Sequence, residues 1–107
     1  SERWKWVNAI IETSGNQLWV GTDGGFWQIG QDRVDRIAPD VIRNGVRSIV
    51  KDDKDTLYIG SETGLHIYKD GKIETVLLEN NSFSSANFIV GLVAHNQKWV
   101  VFNESER

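Results

Sequence analysis

Val7-Asn8-Ala9-Ile10-Ile11-Glu12, followed by Leu18-Trp19-Val20-Gly21-Thr22-Asp23-Gly24-Gly25-Phe26, returns further along the chain. The second copy reads Val46-Arg47-Ser48-Ile49-Val50-Lys51, then Leu57-Tyr58-Ile59-Gly60-Ser61-Glu62-Thr63-Gly64-Leu65. Every matched pair is 39 positions apart, and the register runs on without a gap through Ile29 and Tyr68, Val34 and Ile73, Asp35 and Glu74, and Ile37 and Val76. A third copy starts at Ile89-Val90-Gly91-Leu92-Val93 and reaches Trp99-Val100-Val101-Phe102. It has lost one residue in its turn and carries Phe102-Asn103 where the others carry a glycine and a hydroxyl residue. Self-similarity of this length is the signature of a repeat architecture, in which each unit buries its faces only against its neighbours.

Within one period, apolar and β-branched runs of four to six residues alternate with Gly, Asn, Asp and Ser clusters, which is the pattern of short strands joined by tight turns. The runs predict strands near 7–12, 17–22, 25–29 and 33–37, and again near 46–51, 56–61, 64–68 and 72–76. Ser14-Gly15-Asn16, Asp23-Gly24-Gly25, Gly30-Gln31-Asp32 and Asp70-Gly71 supply residues that accept positive φ in hairpins, so the sheets are expected to be antiparallel meanders. Several strands are apolar on both faces: Ala9 and Ile11 oppose Ile10, and Leu18 and Val20 oppose Trp19. That suits sheets covered on both sides by similar sheets better than a sheet with one wet face. Four strands in a period of about 40 residues is the pattern of propeller blades. The expected fold is therefore all-β, a β-propeller fragment of four-stranded antiparallel blades. It comprises about two and a half blades: 7–37, 46–77 and a partial blade at 88–102. The small residues Ala9, Ser48 and Gly91 fit a crowded place near the axis. Gly21 and Gly60 are expected to press against a neighbouring strand or blade.

The 107 residues carry a formal charge of −3 and no cysteine. Lys and Arg occur singly, with no basic stripe to follow a phosphate backbone, so nucleic acid is not an expected partner. No window reaches the roughly 18 to 20 apolar residues of a membrane span, and a chain without cysteine suits cytoplasm and periplasm alike.

The residues quoted above resemble the two-component regulator propeller repeat, whose core runs from a valine through a short strand and a polar turn to Leu-Trp-Ile-Gly-Thr and a Gly-Gly-Leu-like step. Val7 to Ile29 carries the likeness as VNAIIETSGNQLWVGTDGGFWQI, and Val46 to Tyr68 as VRSIVKDDKDTLYIGSETGLHIY. The second copy departs at Asp55, where a turn glycine or asparagine is usual, and at Tyr58 in place of tryptophan. The third lacks the Gly-Thr step. What the resemblance implies is a sensor domain in signal transduction. Such propellers form the periplasmic, ligand-sensing part of regulators that end in kinase, cyclase or DNA-binding modules, and none of those modules lies within these residues.

The residues themselves offer no catalytic constellation, and no cofactor is expected. His66 and His95 are the two histidines. No ligand spacing of a metal site accompanies them. His66 occupies the repeat position of Trp27 and reads as a strand residue at a blade surface, and His95 reads as a solvated turn residue. Thr22-Asp23-Gly24-Gly25 is a hairpin turn, since no Gly-Lys-Ser/Thr follows it. Asp52-Asp53-Lys54-Asp55 lacks the alternating acids and distal glutamate of a calcium loop. Ser84 and Ser85 stand in a polar stretch with no histidine and acid beside them. Trp19 and Tyr58 share a strand position and read as packing residues.

Candidates for binding come from loop placement, because loops on a rigid scaffold commonly carry function. One set is the turn between second and third strands, Asp23 and Glu62. The other is the blade-to-blade connection, with Asp40, Arg43 and Asn44 and then Asn80, Asn81 and Asn87. Trp4 and Trp6 fall in the corresponding stretch before the first blade, where they would stack on a sugar ring or pack against a preceding blade. Asp23, Glu62 and Arg43 are expected to be exposed and to contribute little to folding. The expected partners are a small-molecule or carbohydrate ligand, and either missing blades of the same protein or other copies of this chain. The competing reading is a self-assembling propeller fragment that acts as a protein–protein interaction scaffold.

Overall fold

The computed structural model describes residues 6–76 in full and residues 89–95 and 98–103 as backbone. The first sheet is built from β1 (Val7–Thr13), β2 (Gln17–Thr22), β3 (Gly25–Ile29) and β4 (Val34–Arg36), in the order β1-β2-β3-β4 with every neighbour antiparallel. The second repeats it with β5 (Val46–Lys51), β6 (Leu57–Ser61), β7 (Gly64–Lys69) and β8 (Lys72–Val76). A third sheet of two strands pairs β9 (Ile89–His95) with β10 (Lys98–Asn103). The protein is all-β, with two four-stranded antiparallel sheets and no helix among the described residues. Strand ends move slightly from the sequence expectation. β1 extends to Thr13, which pairs with Gln17, and β4 is confined to Val34–Arg36. His95 ends strand β9 opposite Lys98, so its backbone is strand and not turn as expected.

Turn chemistry explains the hairpins. Asp70 (φ 52°) and Gly71 (φ 77°) both lie in the left-handed region between Lys69 and Lys72, the backbone of a type I′ turn, whose twist matches that of the flanking strands. The β5–β6 loop closes differently. Asp52 Oδ1 accepts hydrogen bonds from the Lys54 and Thr56 amides at 2.9 and 3.0 Å, and Asp55 takes φ 63°. Asp55 thus occupies the same left-handed conformation as Asn16 (φ 61°) one repeat earlier. Aspartate tolerates it because its short polar side chain can bond locally.

Each first strand carries a β-bulge that the sequence does not announce. Val7 pairs with Thr22 and Ala9 with Gly21, leaving Asn8 as the extra residue. Arg47 is its counterpart in β5, and Val90 in β9. A bulge bends its strand and re-aims a side chain.

The sheets face one another with their first strands closest: β1 lies beside β5, and β5 beside β9. Between the first and second sheets lies the core of Trp19, Phe26, Ile42, Val46, Ile49, Leu57 and Ile59. Trp19 stacks on Phe26 at 5.6 Å between ring centroids, and Tyr68 meets both rings edge-on. Gly21 lets the sheets close. A Cβ built there would stand 2.4 Å from Val46 Cγ1 and 3.4 Å from Ile49 Cδ1, so the absent side chain is the hollow that receives the valine of the next sheet. This agrees with the expected close approach at Gly21. Gly60 is buried and holds the same register, opposite Ser48 as Gly21 is opposite Ala9.

Candidate functional site

Two places where the first and second sheets meet carry polar side chains, one at each end of the strands. The first holds the sequence-predicted loop residues. Because β1 and β5 begin where β2 and β6 end, the turns at Asp23 and Glu62 lie beside the segment that leads into each first strand. Asp23 N–H donates to Trp6 C=O at 3.0 Å, and Glu62 N–H donates to Gly45 C=O at 3.2 Å, the same bond one repeat later. The bulge then turns a polar side chain onto each acid: Asn8 Nδ2 donates to Asp23 Oδ1 at 3.0 Å, and Arg47 lies 3.6 Å from Glu62 Oε2. Asn8 Nδ2 also donates to Val46 C=O at 2.8 Å, which ties the first sheet to the second. A Cβ added to Gly45 would approach Glu62 Oε2 to 2.7 Å and Asp23 Cα to 3.4 Å, so Asp23, Glu62 and the inter-sheet connection converge.

Arg43 and Asn44 precede Gly45 in that connection and are exposed. Arg43 Nε donates to Asp40 C=O at 3.2 Å. The expectation of idle exposed acids is corrected in part. Asp23 is exposed, but Glu62 is half-buried, and both are engaged with the bulge residues. Trp6 is exposed. Trp4, Asn80, Asn81 and Asn87 lie outside the described residues, as do Ser84 and Ser85.

The opposite end opens into a cleft of about 540 Å³ between the β1–β2 hairpin of the first sheet and the β5–β6 and β7–β8 hairpins of the second. Trp19, Leu57 and Tyr68 line it from the core, and Gln17, Gln28, Lys54, Asp55, Lys69 and Asp70 line it with polar groups. Asp55 also holds its two walls together. Its Oδ2 accepts from the Ser14 hydroxyl and from Ser14 N–H, the latter at 3.2 Å, while Lys51 lies 3.9 Å from Oδ1. The Ser14 bonds hold the Asp55 carboxyl below the usual carboxylate range. Trp19 Nε1 donates to Thr13 Oγ1 at 2.9 Å, so its polar atom is satisfied while its ring remains in the wall. No family model, curated protein or solved structure matches the chain.

Sequence reasoning placed binding at the Asp23–Glu62 end and did not find the cleft. Trp19 and Tyr68 do carry the packing role, but the space beside them depends on how two hairpins from different repeats diverge. The legible signal was Gln17 and Gln28, whose repeat counterparts are Thr56 and Ile67. The repeat pattern does not call for a pair of amides.

His66 corrects a further expectation: it lies not at a surface but fully buried, 1% exposed. Its Nε2 meets Ser61 Oγ at 2.8 Å and its Nδ1 meets Thr75 Oγ1 at 2.9 Å. Ser61 Oγ donates to Gly64 C=O and accepts from Thr63 N–H, which leaves it a lone pair for His66. The network therefore assigns the Nε2–H tautomer, with Nδ1 accepting from Thr75. In the first sheet Trp27 Nε1 donates to Thr22 Oγ1 at 3.2 Å, the same ring N–H to hydroxyl bond. Burial pushes the His66 pKa down to about 4, so the ring is neutral at neutral pH. In this arrangement His66 stands where the first sheet has an indole, and its ring takes the corresponding bond to the hydroxyl.

Proposed function

We propose that this chain is a non-catalytic ligand-binding segment of a propeller-type sensor, in a signal-transduction regulator of the two-component kind, and that the inter-sheet cleft is where its ligand sits. The observation that carries the reading is the cleft itself. Ligand sites are concave and of about 300–1,000 Å³, and the cleft has that size. Its accessible lining is mostly polar: Gln17 and Gln28 offer donors and acceptors, Lys54 and Lys69 balance Asp55 and Asp70, and half-buried Tyr68 stands at the wall with the buried Trp19 behind it. Balanced charge favours an uncharged polar ligand, a small molecule or sugar whose hydroxyls the amides and carboxylates bond. Each sheet serves as a blade, and the face-to-face stacking with first strands closest supports that reading. A periplasmic location and an output module elsewhere in the regulator go with the resemblance of the two repeats to regulator propellers.

Calorimetric titration with the neutral disaccharides cellobiose, maltose and lactose tests the proposal. Binding by one of them is expected, weakened at least about tenfold in Gln28→Ala, as for loss of about 1.4 kcal/mol, and unchanged in Asp23→Ala. Absence of binding to all three overturns the sugar reading. Loss on Asp23→Ala with retention in Gln28→Ala moves the site to the other end of the strands.

A further inference from the structure

A row of side chains crosses the first sheet from its core toward its outer edge. Trp19 pairs with Gln28, and Gln28 with Asp35, in the register of β2, β3 and β4. Residues directly opposite in neighbouring strands share a face, and Gln17, two residues before Trp19 on β2, shares it as well. With strands about 4.8 Å apart, the row places an aromatic ring, an amide and a carboxylate side by side over roughly 10 Å.

Trp19 and Gln28 line the cleft, and Asp35 stands beyond it. It lies in a second recess of about 310 Å³, between the β1–β2 and β3–β4 hairpins, with Asn16, Gln31 and Arg33. Gln17 and Gln28 line both spaces, so the two amides are the threshold between them. The β3–β4 loop is closed by Gly30 N–H donating to Arg33 C=O at 2.9 Å, and Arg33 Nη2 donates to Asp35 Oδ1 at 2.9 Å. Arg33 and Asp35 cancel each other's charge. The recess therefore adds guanidinium donors and carboxylate acceptors to the cleft without changing its balance.

The second repeat offers a comparison. Its counterpart of the row is Tyr58, Ile67 and Glu74. Its counterpart recess, of about 380 Å³, keeps opposite charges as Lys72 and Glu74 but has Thr56 and Ile67 in place of the amides. Ile67 and Glu74 alternate with Tyr68 and Ile73 along β7 and β8, so they stand on the face of that sheet opposite to the one that lines the cleft. The amides belong to the repeat whose recess shares a face with the cleft.

Resting on the reading of the cleft as the ligand site, we propose that the recess is a second subsite of the same groove. Its ligand is a linear, neutral oligosaccharide longer than a disaccharide, lying across Gln17 and Gln28 with its far end on Arg33 and Asp35. Two compartments in series suit a chain of sugar rings, each presenting hydroxyls to donors and acceptors, whereas a compact molecule fills one compartment alone.

Calorimetric titration of the chain with cello- and malto-oligosaccharides of two and four units tests this. In the series that binds, the tetrasaccharide is expected to bind at least about tenfold more tightly than the disaccharide, a difference of about 1.4 kcal/mol. Arg33→Ala and Asp35→Ala should each bring that ratio toward one and leave disaccharide affinity unchanged, and Gln28→Ala should weaken both lengths. Glu74→Ala, in the recess on the other face of the second sheet, should match the parent at both lengths. Arg33 is exposed, so the circular dichroism spectrum of Arg33→Ala should be that of the parent. Equal affinity for two and four units, or a gain with length that survives both Arg33→Ala and Asp35→Ala, overturns the subsite and leaves the cleft as the binding place. Absence of binding at either length in both series overturns the sugar reading of the cleft and the subsite with it.

Discussion

Ile10 and Ile49 are the same residue at the same place in two copies of one repeat, yet Ile10 is largely exposed and Ile49 buried. Val7 and Val46 differ in the same way. Backbone pairing is not the reason, for both isoleucines sit just past a bulge and pair with the matching residue of the second strand, Val20 or Ile59. The difference lies in the neighbour. The second sheet has the first against its face, with Gly21 opposite Val46, and among the described residues Val7 and Ile10 of β1 meet no such sheet. A repeat thus encodes the sheet locally and its burial only through stacking, the behaviour of proteins whose stability is a sum of unit and nearest-neighbour terms.

The sharpest way to break this comparison is to truncate both isoleucines. Ile49→Ala is expected to cost about 2–5 kcal/mol, the range for a buried aliphatic whose site only partly collapses. Ile10→Ala should stay within about 0.5 kcal/mol at concentrations where the chain is monomeric. Urea unfolding of the two variants measures the contrast. Equal losses would mean that Ile10 is as covered as Ile49.

A second contrast is Trp27 against His66, two rings that donate to the same hydroxyl position but differ in that one titrates. The buried native ring resists protonation down to about pH 4, while an unfolded histidine protonates near 6.5. Above 6.5 both states are neutral and the full stability is present. As the pH falls below 6.5, the unfolded chain takes up a proton that the native state refuses, so stability declines until the native ring titrates near 4. The total is on the order of 3 kcal/mol, because each tenfold difference in proton affinity between the folded and unfolded chain is worth about 1.4 kcal/mol. Asp55 titrates below the usual carboxylate range, as does Asp52, where burial acts upward but the bonds from Thr56, Lys54 and Tyr58 outweigh it. Across the interval from pH 6.5 to 5, the part of the fall that belongs to His66 is the part that its replacement removes. Urea midpoints should fall across that interval in the parent and hold steadier in His66→Gln, and an equal slope in the two would remove His66 as the cause.

Much of this architecture is legible in the sequence because it is local. The 39-residue register gives two four-stranded meanders, Asp70-Gly71 gives its hairpin, and the equivalence of Asn16 and Asp55 is visible once the copies are aligned. What escapes is set by relations between sheets or by geometry with no composition of its own. The bulges at Asn8 and Arg47 carry no glycine to mark them, so the pairing of each with its turn acid could not be anticipated. His66 looked peripheral because histidine is seldom fully buried, and only the two hydroxyls of Ser61 and Thr75 make its burial tolerable. The cleft is a gap between hairpins of different repeats, and of the residues around it only the two amides depart from the repeat in a way a reader of the sequence would notice.

The smallest of the expected effects tests the interlock that makes the two sheets unequal. Gly21 has no φ in the left-handed region, so alanine is not excluded there by its backbone, and any penalty comes from packing alone. The added Cβ would stand 2.4 Å from Cγ1 and 3.0 Å from Cβ of Val46, a fully buried and β-branched side chain with little rotamer freedom to yield. The sheets must then part by a fraction of an ångström, which loosens Trp19, Phe26 and Ile49 along with the valine. Overpacking of this kind costs about 1–3 kcal/mol. Because the strain is between two named atoms, it has a specific remedy: Val46→Ala removes Cγ1 and should absorb the new methyl. A double-mutant cycle on Gly21→Ala and Val46→Ala is therefore expected to show a total loss smaller than the sum of the two single losses. Simple additivity within about 0.5 kcal/mol, the behaviour of residues that do not touch, would mean that valine and glycine do not interlock and that some other contact holds the second sheet on the first.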